Sequence, residues 1–453
     1  MGNSLEILKK VSFSDLTNWS VQYLFDTSFS YNQKFNLVKI GDFLSRNKTP
    51  ILIQDNIDYK RVTIKIKNGG IFLRDTVKGV YIGTKKQFII NEGQFLLSKI
   101  DARNGAFGVV PKEVDNGIIT GNFWTFDVDY NIINPHFLSL IATTPEFIKF
   151  SENASNGTTN RHYLQEDLFL AQKIPLPSLE EQNRIVTNYN KKIKLANKQE
   201  EEAKQLETEI ENYLFEVLGI EKLEEKKTKK GLQFVRFRDL YEWNILSSKI
   251  KFISSKYDTV SLEKDNSLYQ SVFRGKSPKY DKNGQSNILN QKCNRWNKID
   301  LQYSKTVNDN WYYSIDNIFF TKDGDILINS TGEGTIGRSS LITKKDEGLL
   351  YDSHILLLRL NKEKINPLFY VFLFNSKYGQ LQVASIKSAQ STNQTELGVQ
   401  NLKKIVSPLP PLKIQREIVN HISDLKQQIK DLQNQAKENR ELAIKEFENE
   451  IFG

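Results

Sequence analysis

A proline-flanked string occurs twice in this 453-residue chain, and that repeat limits the fold more than any other feature. The first copy runs Pro175-Leu176-Pro177-Ser178-Leu179-Glu180-Glu181-Gln182-Asn183-Arg184-Ile185-Val186. The second runs Pro408-Leu409-Pro410-Pro411-Leu412-Lys413-Ile414-Gln415-Arg416-Glu417-Ile418-Val419, about 233 positions later. Weaker matches follow in the same order at nearly the same offset. Asn134-Pro135 matches Asn366-Pro367, Thr159-Asn160 matches Thr392-Asn393, and the turn near Gly93 matches that near Gly324. Farther back, Phe13-x-Asp15-Leu16-x-x-Trp19 reappears as Phe237-x-Asp239-Leu240-x-x-Trp243, with Trp19 and Trp243 read as core anchors. An ordered series of matches marks a repeated structural unit, in which loop insertions absorb small drifts of offset. The chain is two copies of one unit, and its length alone already favours more than one domain.

Each copy has the same internal order. Short apolar runs such as Phe95–Ser98 and Asp325–Ile328 alternate with Gly, Asn and Asp turns, which predicts strands. A helix follows, with Asn134 or Asn366 as its cap and Pro135 or Pro367 at its first position. Pro-Leu-Pro closes the globular part, because proline stops helix continuation and stiffens the exit. A long polar segment then runs from 179 to 218, and again from 412 to 451, without proline or glycine. Heptad spacing picks out Ile418, Ile422, Leu425, Ile429, Leu432, Ala436, Asn439 and Ala443 in the second segment. In the first it picks out Ile185, Tyr189, Lys192, Ala196, Gln199, Ala203, Leu206, Ile210, Tyr213 and Val217. Lys192, Gln199 and Asn439 weaken the seam, so the two segments are expected to pair with each other, antiparallel, rather than stand alone. At 1.5 Å per residue each reaches roughly 55–60 Å.

The expected class is α+β: two mixed α/β domains separated by a long antiparallel two-helix coiled coil, with pseudo-two-fold internal duplication. Residues 1–178 form the first domain and 179–219 the first helix. A charged linker occupies 220–232, the second domain 233–411 and the second helix 412–453. Antiparallel pairing is expected to set the two domains at opposite ends of the helices.

Composition narrows the setting. A formal net charge of +9 is compatible with a polyanionic partner, because Lys and Arg near phosphates release condensed counterions. The single cysteine, Cys293, rules out an intramolecular disulfide framework and fits a reducing cytoplasm. No secretion signal and no bilayer-length apolar run is read, so a cytoplasmic location is expected. His136, His162, His354 and His421 lack metal-ligand spacing among themselves or with Cys293, and no metal is expected.

A Pro-Leu-Pro-x-Leu-x-x-Gln-x-x-Ile-Val segment leading into a long helix, present twice, resembles the specificity subunits of type I restriction-modification enzymes. The likeness covers essentially the whole chain. It implies that each globular domain is a target recognition domain reading half of a bipartite double-stranded DNA target, with the helices as a spacer fixing the gap. It also implies two adenine methyltransferase subunits and two restriction subunits as partners. S-adenosylmethionine, ATP and Mg²⁺ would then belong to those partners and no cofactor to this chain.

Catalytic motifs agree with a non-catalytic role. No phosphate-binding Gly-x-x-x-x-Gly-Lys-Ser/Thr loop occurs. Gly332-x-Gly334-x-x-Gly337 matches a dinucleotide fingerprint, but a strand-like run from Arg338 to Thr343 follows it, so a turn is the better reading. Asn134-Pro135-His136-Phe137 is close to an amino-methyltransferase signature but lacks the second proline, and helix capping accounts for it.

DNA-reading candidates come from polar and basic loops of the two domains, where side chains can meet base edges and phosphates. In the first copy they are Asn156, Thr158, Thr159, Asn160 and Arg161, with Lys99, Arg103 and Asn104. In the second they are Ser391, Thr392, Asn393 and Gln394, with Asn329, Thr331 and Arg338 at turns matching the earlier ones. Arg274, Lys276, Lys279 and Tyr280 form a basic cluster with an aromatic residue, as do Arg295 and Trp296. The rival readings are a coiled-coil scaffold joining two protein-binding β domains, and a specificity subunit of a related phage-defence system.

Overall fold

A computed structural model of the chain describes residues 31–156, 163–221, 254–332, 334–386, 388–389 and 395–453. Trp19, Trp243, His162 and most of the 220–232 linker lie outside the described residues. The chain divides into two compact units, residues 1–199 with 434–453, and residues 200–433.

The first unit is built on strands β1 (Leu37–Lys39), β2 (Leu44–Asn47), β3 (Pro50–Leu52), β4 (Asp58–Ile64), β5 (Ile71–Lys78), β6 (Lys86–Ile90) and β7 (Phe95–Ser98). β8 (Phe107–Val109), β9 (Gly117–Ile119) and β10 (Phe123–Val128) follow. Helices α1 (Pro135–Ala142) and α2 (Pro145–Asn153), the hairpin β11 (Ser155–Asn156) and β12 (Tyr163–Leu164), helix α3 (Glu166–Ala171) and strand β13 (Lys173–Pro175) lead into α4 (Leu179–Leu218). The central sheet has the order β2-β10-β7-β8, and β1 pairs with β13. Its inner face packs on α1, α2 and α3 through Phe95, Phe126, Phe137, Phe147 and Phe169, all shielded from solvent.

The second unit repeats this frame. Its strands are β14 (Thr259–Ser261), β15 (Tyr269–Arg274), β16 (Ser286–Leu289), β17 (Asn294–Arg295), β18 (Lys298–Ile299) and β19 (Lys305–Val307). After the short helix α5 (Asp309–Tyr313) come β20 (Ile326–Asn329), β21 (Ser339–Leu341), β22 (Leu350–Tyr351) and β23 (Ile355–Leu360). Helices α6 (Pro367–Asn375) and α7 (Lys377–Ile386), hairpin β24 (Ser388–Ala389) and β25 (Thr395–Glu396), helix α8 (Val399–Lys403) and strand β26 (Val406–Pro408) lead into α9 (Leu412–Phe452). The order β15-β23-β20-β21 reproduces β2-β10-β7-β8, and β14 pairs with β26 as β1 does with β13. The repeat read in the sequence is thus a repeat of strand order.

The repeated motif glutamine explains why the string recurs. Gln182, in the first turn of α4, is fully buried. Its Oε1 accepts from the Asn134 backbone N–H at 2.8 Å, and its Nε2 donates to the carbonyls of Ile132 at 3.1 Å and Pro177 at 2.9 Å. Gln415, equally buried, accepts from Asn366 N–H at 2.7 Å and donates to Lys364 at 3.1 Å and Pro410 at 2.8 Å. Each glutamine therefore ties the start of a long helix to the residue that caps α1 or α6. Those caps are as read: the Asn134 side chain accepts from His136 N–H and the Asn366 side chain from Leu368 and Phe369 N–H, with proline next in both.

The long helices pack antiparallel within each unit, numbers rising along one as they fall along the other. In the first unit the polar seam positions are paired, not merely tolerated. Lys192 Nζ lies 2.7 Å from Glu446, Gln199 Nε2 donates to Gln435 at 2.9 Å, and Asn439 Nδ2 donates to Gln199 at 3.0 Å. In the second, Ile210, Leu214 and Leu218 pack with Ile418 and Ile422, and Tyr213 lies against His421 with ring centroids 4.0 Å apart. A buried polar residue at a seam position specifies register when its partner is present.

The frame leaves two gaps, one between its first strand and β7 or β20, the other between β8 and β10 or between β21 and β23. In the first unit these segments make a five-stranded sheet, β3-β6-β9-β4-β5. In the second they make a three-stranded sheet, β19-β16-β22, with the β17–β18 hairpin and α5. The later segment joins the earlier one by a parallel pairing in both, β9 with β4 and β22 with β16. Same slots, different inserts.

Removing a clamp glutamine leaves a backbone N–H and two carbonyls without their partner in a buried setting, where each orphaned group costs about 1–3 kcal/mol. Gln182→Leu and Gln415→Leu should each lower stability by at least about 3 kcal/mol in urea unfolding. Changes below about 0.5 kcal/mol, ordinary for surface substitutions, would contradict the clamp.

Candidate nucleic-acid interface

In the first unit the site grows from a hairpin turn. Lys67 and Asn68 both have φ of +57° at the tip between β4 and β5, where Gly69 and Gly70 follow. Asparagine and glycine tolerate this left-handed region, which is why Lys-Asn-Gly-Gly between two strand-like runs makes a tight hairpin. The tip docks on the turn after β7. Lys67 N–H donates to the Asn104 carbonyl at 2.6 Å, Asn68 N–H donates to the Gly105 carbonyl at 3.0 Å, and Asn68 Nδ2 donates to Thr143 at 3.2 Å. Gly105, at φ +77°, has no room for a side chain, since a Cβ there would come within 2.5 Å of Asn68 Oδ1.

Docking gathers cations from separate segments. Lys65 and Lys67 come from the hairpin, Lys99 and Arg103 from the turn. Lys65 Nζ sits 4.6 Å from the centre of the Phe72 ring and Lys99 Nζ 5.3 Å from that of Tyr163. The Lys99 carbonyl accepts from Leu164 N–H at 2.8 Å, so the turn is tied to the strand leaving residues 157–162. Asn156 pairs through its backbone with Tyr163, at the other end of that segment. Thr158, Thr159, Asn160 and Arg161 lie outside the described residues, as do Ser391, Thr392, Asn393 and Gln394 in the second unit. Asn104 is exposed, and its Nδ2 donates to Asp101 at 3.3 Å. Lys65 and Lys67 were not singled out in the sequence, although the hairpin signal beside them was available.

In the second unit the basic residues distribute over cation–aromatic contacts. Lys276 Nζ lies 4.0 Å from the Phe319 ring centre, the Arg295 guanidinium 4.6 Å from Tyr303, and the Arg338 guanidinium 5.9 Å from Trp296. Tyr280 is joined by Lys305, at 4.8 Å, rather than by Lys276 of the expected cluster. Lys279 is exposed, and its carbonyl accepts from Asn308 N–H. Trp296 is 44% and Tyr280 52% exposed. Rings held in solvent beside cations suit stacking on bases and contact with phosphates.

Two candidates bond within the fold. Asn329 is fully buried: its Nδ2 donates to the Gln291 carbonyl at 3.0 Å and its Oδ1 accepts from Asn294 at 3.1 Å. Its amide holds the insert to the frame, which takes it away from base edges. Arg338 is partly engaged in its own turn, donating from Nη2 to Gly334 at 2.8 Å. The Gly332, Gly334 and Gly337 run, all at positive φ, is a turn that leads into strand β21.

A second cluster lies where β15 ends. Arg274 donates from Nε to the Ser353 carbonyl at 2.8 Å and from Nη1 to the Glu396 carboxylate. Thr331 forms a backbone bridge with Glu396, and its Oγ1 lies 2.8 Å from His354 Nδ1. The His354 N–H donates to Asp352 at 2.9 Å. Burial pushes the Asp352 carboxyl above the usual carboxylate range, against the opposing pull of that N–H and of the His354 and Lys305 charges.

Folding and composition define a class at this point: one frame in two copies, carrying two unlike inserts dressed with cations and exposed rings, and paired helices. A model of the type I restriction modification DNA specificity domain matches residues 32–207 and again 272–440. The chain is 23% identical over 431 residues to the type I restriction enzyme MjaVIII specificity subunit of Methanocaldococcus jannaschii, a match covering 92% of each. It is 34% identical over 102 residues to the putative type I restriction enzyme MjaX specificity subunit of the same organism, spanning 22% of this chain and 24% of that one. A chain solved in work on complex assembly and conformational transition of the type I R-M system shares the fold, with a TM-score of 0.57 at 16% identity over 93% of this chain and 99% of that one. The chain belongs to the type I restriction-modification DNA-specificity family. It is a specificity subunit, and catalysis lies in partner subunits. Among the described residues no helix is long and apolar enough to cross a membrane.

The raised Asp352 carboxyl has a signed consequence. The folded state holds this proton more tightly than the unfolded chain, so the benefit is complete below the ordinary aspartate range and is lost as pH rises through the folded value. Asp352→Asn keeps the acceptor for His354 N–H and removes the titration. Urea midpoints measured from pH 4 to pH 8 should show the variant gaining on the parent as pH rises; a constant gap would contradict this.

Proposed function

We propose that this chain reads a bipartite double-stranded DNA target, one half through the insert of each unit, and docks two adenine methyltransferase subunits, with two restriction subunits joining in the full enzyme. The observation that carries the proposal is the repeated strand order fitted with two different insert sheets. A shared frame suits two equivalent docking surfaces for identical partners, while unlike inserts suit two unlike half-targets. S-adenosylmethionine, ATP and Mg²⁺ are assigned to the partners, because the work asked of this chain is recognition.

Cations and exposed rings on the inserts favour DNA over a protein-binding scaffold. A phosphate contact by Lys or Arg releases counterions, giving a log–log salt slope of about −0.9 per phosphate on duplex DNA. Binding of the subunit, assembled with its methyltransferase, to target duplex should weaken steeply with salt. Lys65→Ala and Lys67→Ala should each flatten the slope by about one unit. Salt-insensitive binding, or failure to retain a methyltransferase subunit in a pull-down, would contradict the proposal.

A further inference from the structure

The Arg274 guanidinium is fixed by the fold on two sides. Nε is held by the Ser353 carbonyl and Nη1 by Glu396, yet the side chain is 45% exposed. Its backbone is fixed as well. Arg274 is the last residue of β15, in register with Leu356, and Gly275 after it packs so closely that a Cβ would fall 2.0 Å from the Asp352 carbonyl oxygen. Glu396 is fixed in turn by the β24 ladder, where it opposes Ser388, and by its bridge to Thr331.

Such an arginine is badly arranged for a phosphate and well arranged for a base. A phosphate contact draws on net positive charge and tolerates many orientations, whereas Glu396 cancels much of the charge of Arg274. What survives cancellation is direction. Among the described residues the hydrogen bonds engage Nε and Nη1 and leave Nη2 for a ligand; with Glu396 on the Nη1 proton that faces Cδ, Nη2 and the other Nη1 proton make an end-on pair of donors. That pair matches the O6 and N7 acceptors of guanine in the major groove.

We propose that the half-target read by the second unit contains a guanine recognised by Arg274 through the major groove, with Glu396 as the positioning residue that aims it. This rests on the reading of the chain as a DNA-specificity subunit and adds to it a base identity. Both groups lie on the frame-to-insert border, joined across 122 positions of sequence.

The test uses the subunit assembled with its methyltransferase, and duplexes carrying the methylated motif with each guanine replaced in turn by 7-deazaguanine, which lacks the N7 acceptor. At one position in one half-target the replacement should weaken binding about 10- to 100-fold, the range of a good two-pronged base contact. Arg274→Ala should lose preference at that same position, become insensitive to 7-deazaguanine there, and leave the other half-target unaffected, which also reports a folded complex. Arg274→Lys should not restore the preference. Glu396→Gln should cut discrimination at that position about tenfold while binding non-target duplex more tightly, because a negative charge is removed; a merely structural glutamate would not move both in opposite directions. Uniform weakening of all sequences by Arg274→Ala with a flatter salt slope would show a phosphate contact and overturn the proposal, as would Glu396→Gln with discrimination intact. A parent complex with no sequence preference at all would overturn the underlying reading along with it.

Discussion

A single buried amide, used twice, holds this architecture together. Gln182 and Gln415 each stitch the first turn of a long helix to the cap of a helix beneath the frame sheet and to the proline segment before it. All three partners are backbone groups, so the contact does not depend on which side chains the neighbouring insert carries. With the helix direction set at its root, the helix seam can afford Lys192, Gln199 and Asn439, because each meets a fixed partner in the first unit.

Fixing the frame through backbone contacts leaves the inserts free to differ. At one cross-strand position of the frame the first unit has Gln94 donating to Asp127 at 2.7 Å, and the second has Arg359 bonded two-pronged to buried Asp325 at 2.7 Å. The position in the register is the same and the chemistry is not. The inserts diverge further, into five strands in one unit and three in the other. That division of labour suits the proposed reading of two unlike half-targets from a common frame.

Much of the frame could be read in the sequence because its signals are local. Asn-Pro caps, Pro-Leu-Pro exits and proline-free heptads each report on a few adjacent residues, and the helices span Leu179–Leu218 and Leu412–Phe452. The inserts were hidden for a physical reason: their sheets are assembled from segments far apart, β9 with β4 and β22 with β16. The candidate interface shares that difficulty. Lys67 meets Asn104, and Arg274 meets Glu396, only after folding. Asn329 was read as a DNA contact because a polar residue ends an apolar run; the partner that satisfies it in the core, Asn294, stands on another strand. Lys276 and Tyr280, close in sequence, take different partners: Lys276 lies over Phe319, and Tyr280 is covered by Lys305.

The central claim is that one repeated frame presents two independent readers to DNA. Base-resolution mapping of adenine methylation in cells expressing this subunit with its methyltransferase tests it most directly. The account predicts a single interrupted motif with two dissimilar halves at a constant gap. Methylation at one uninterrupted motif, or without sequence preference, would contradict it.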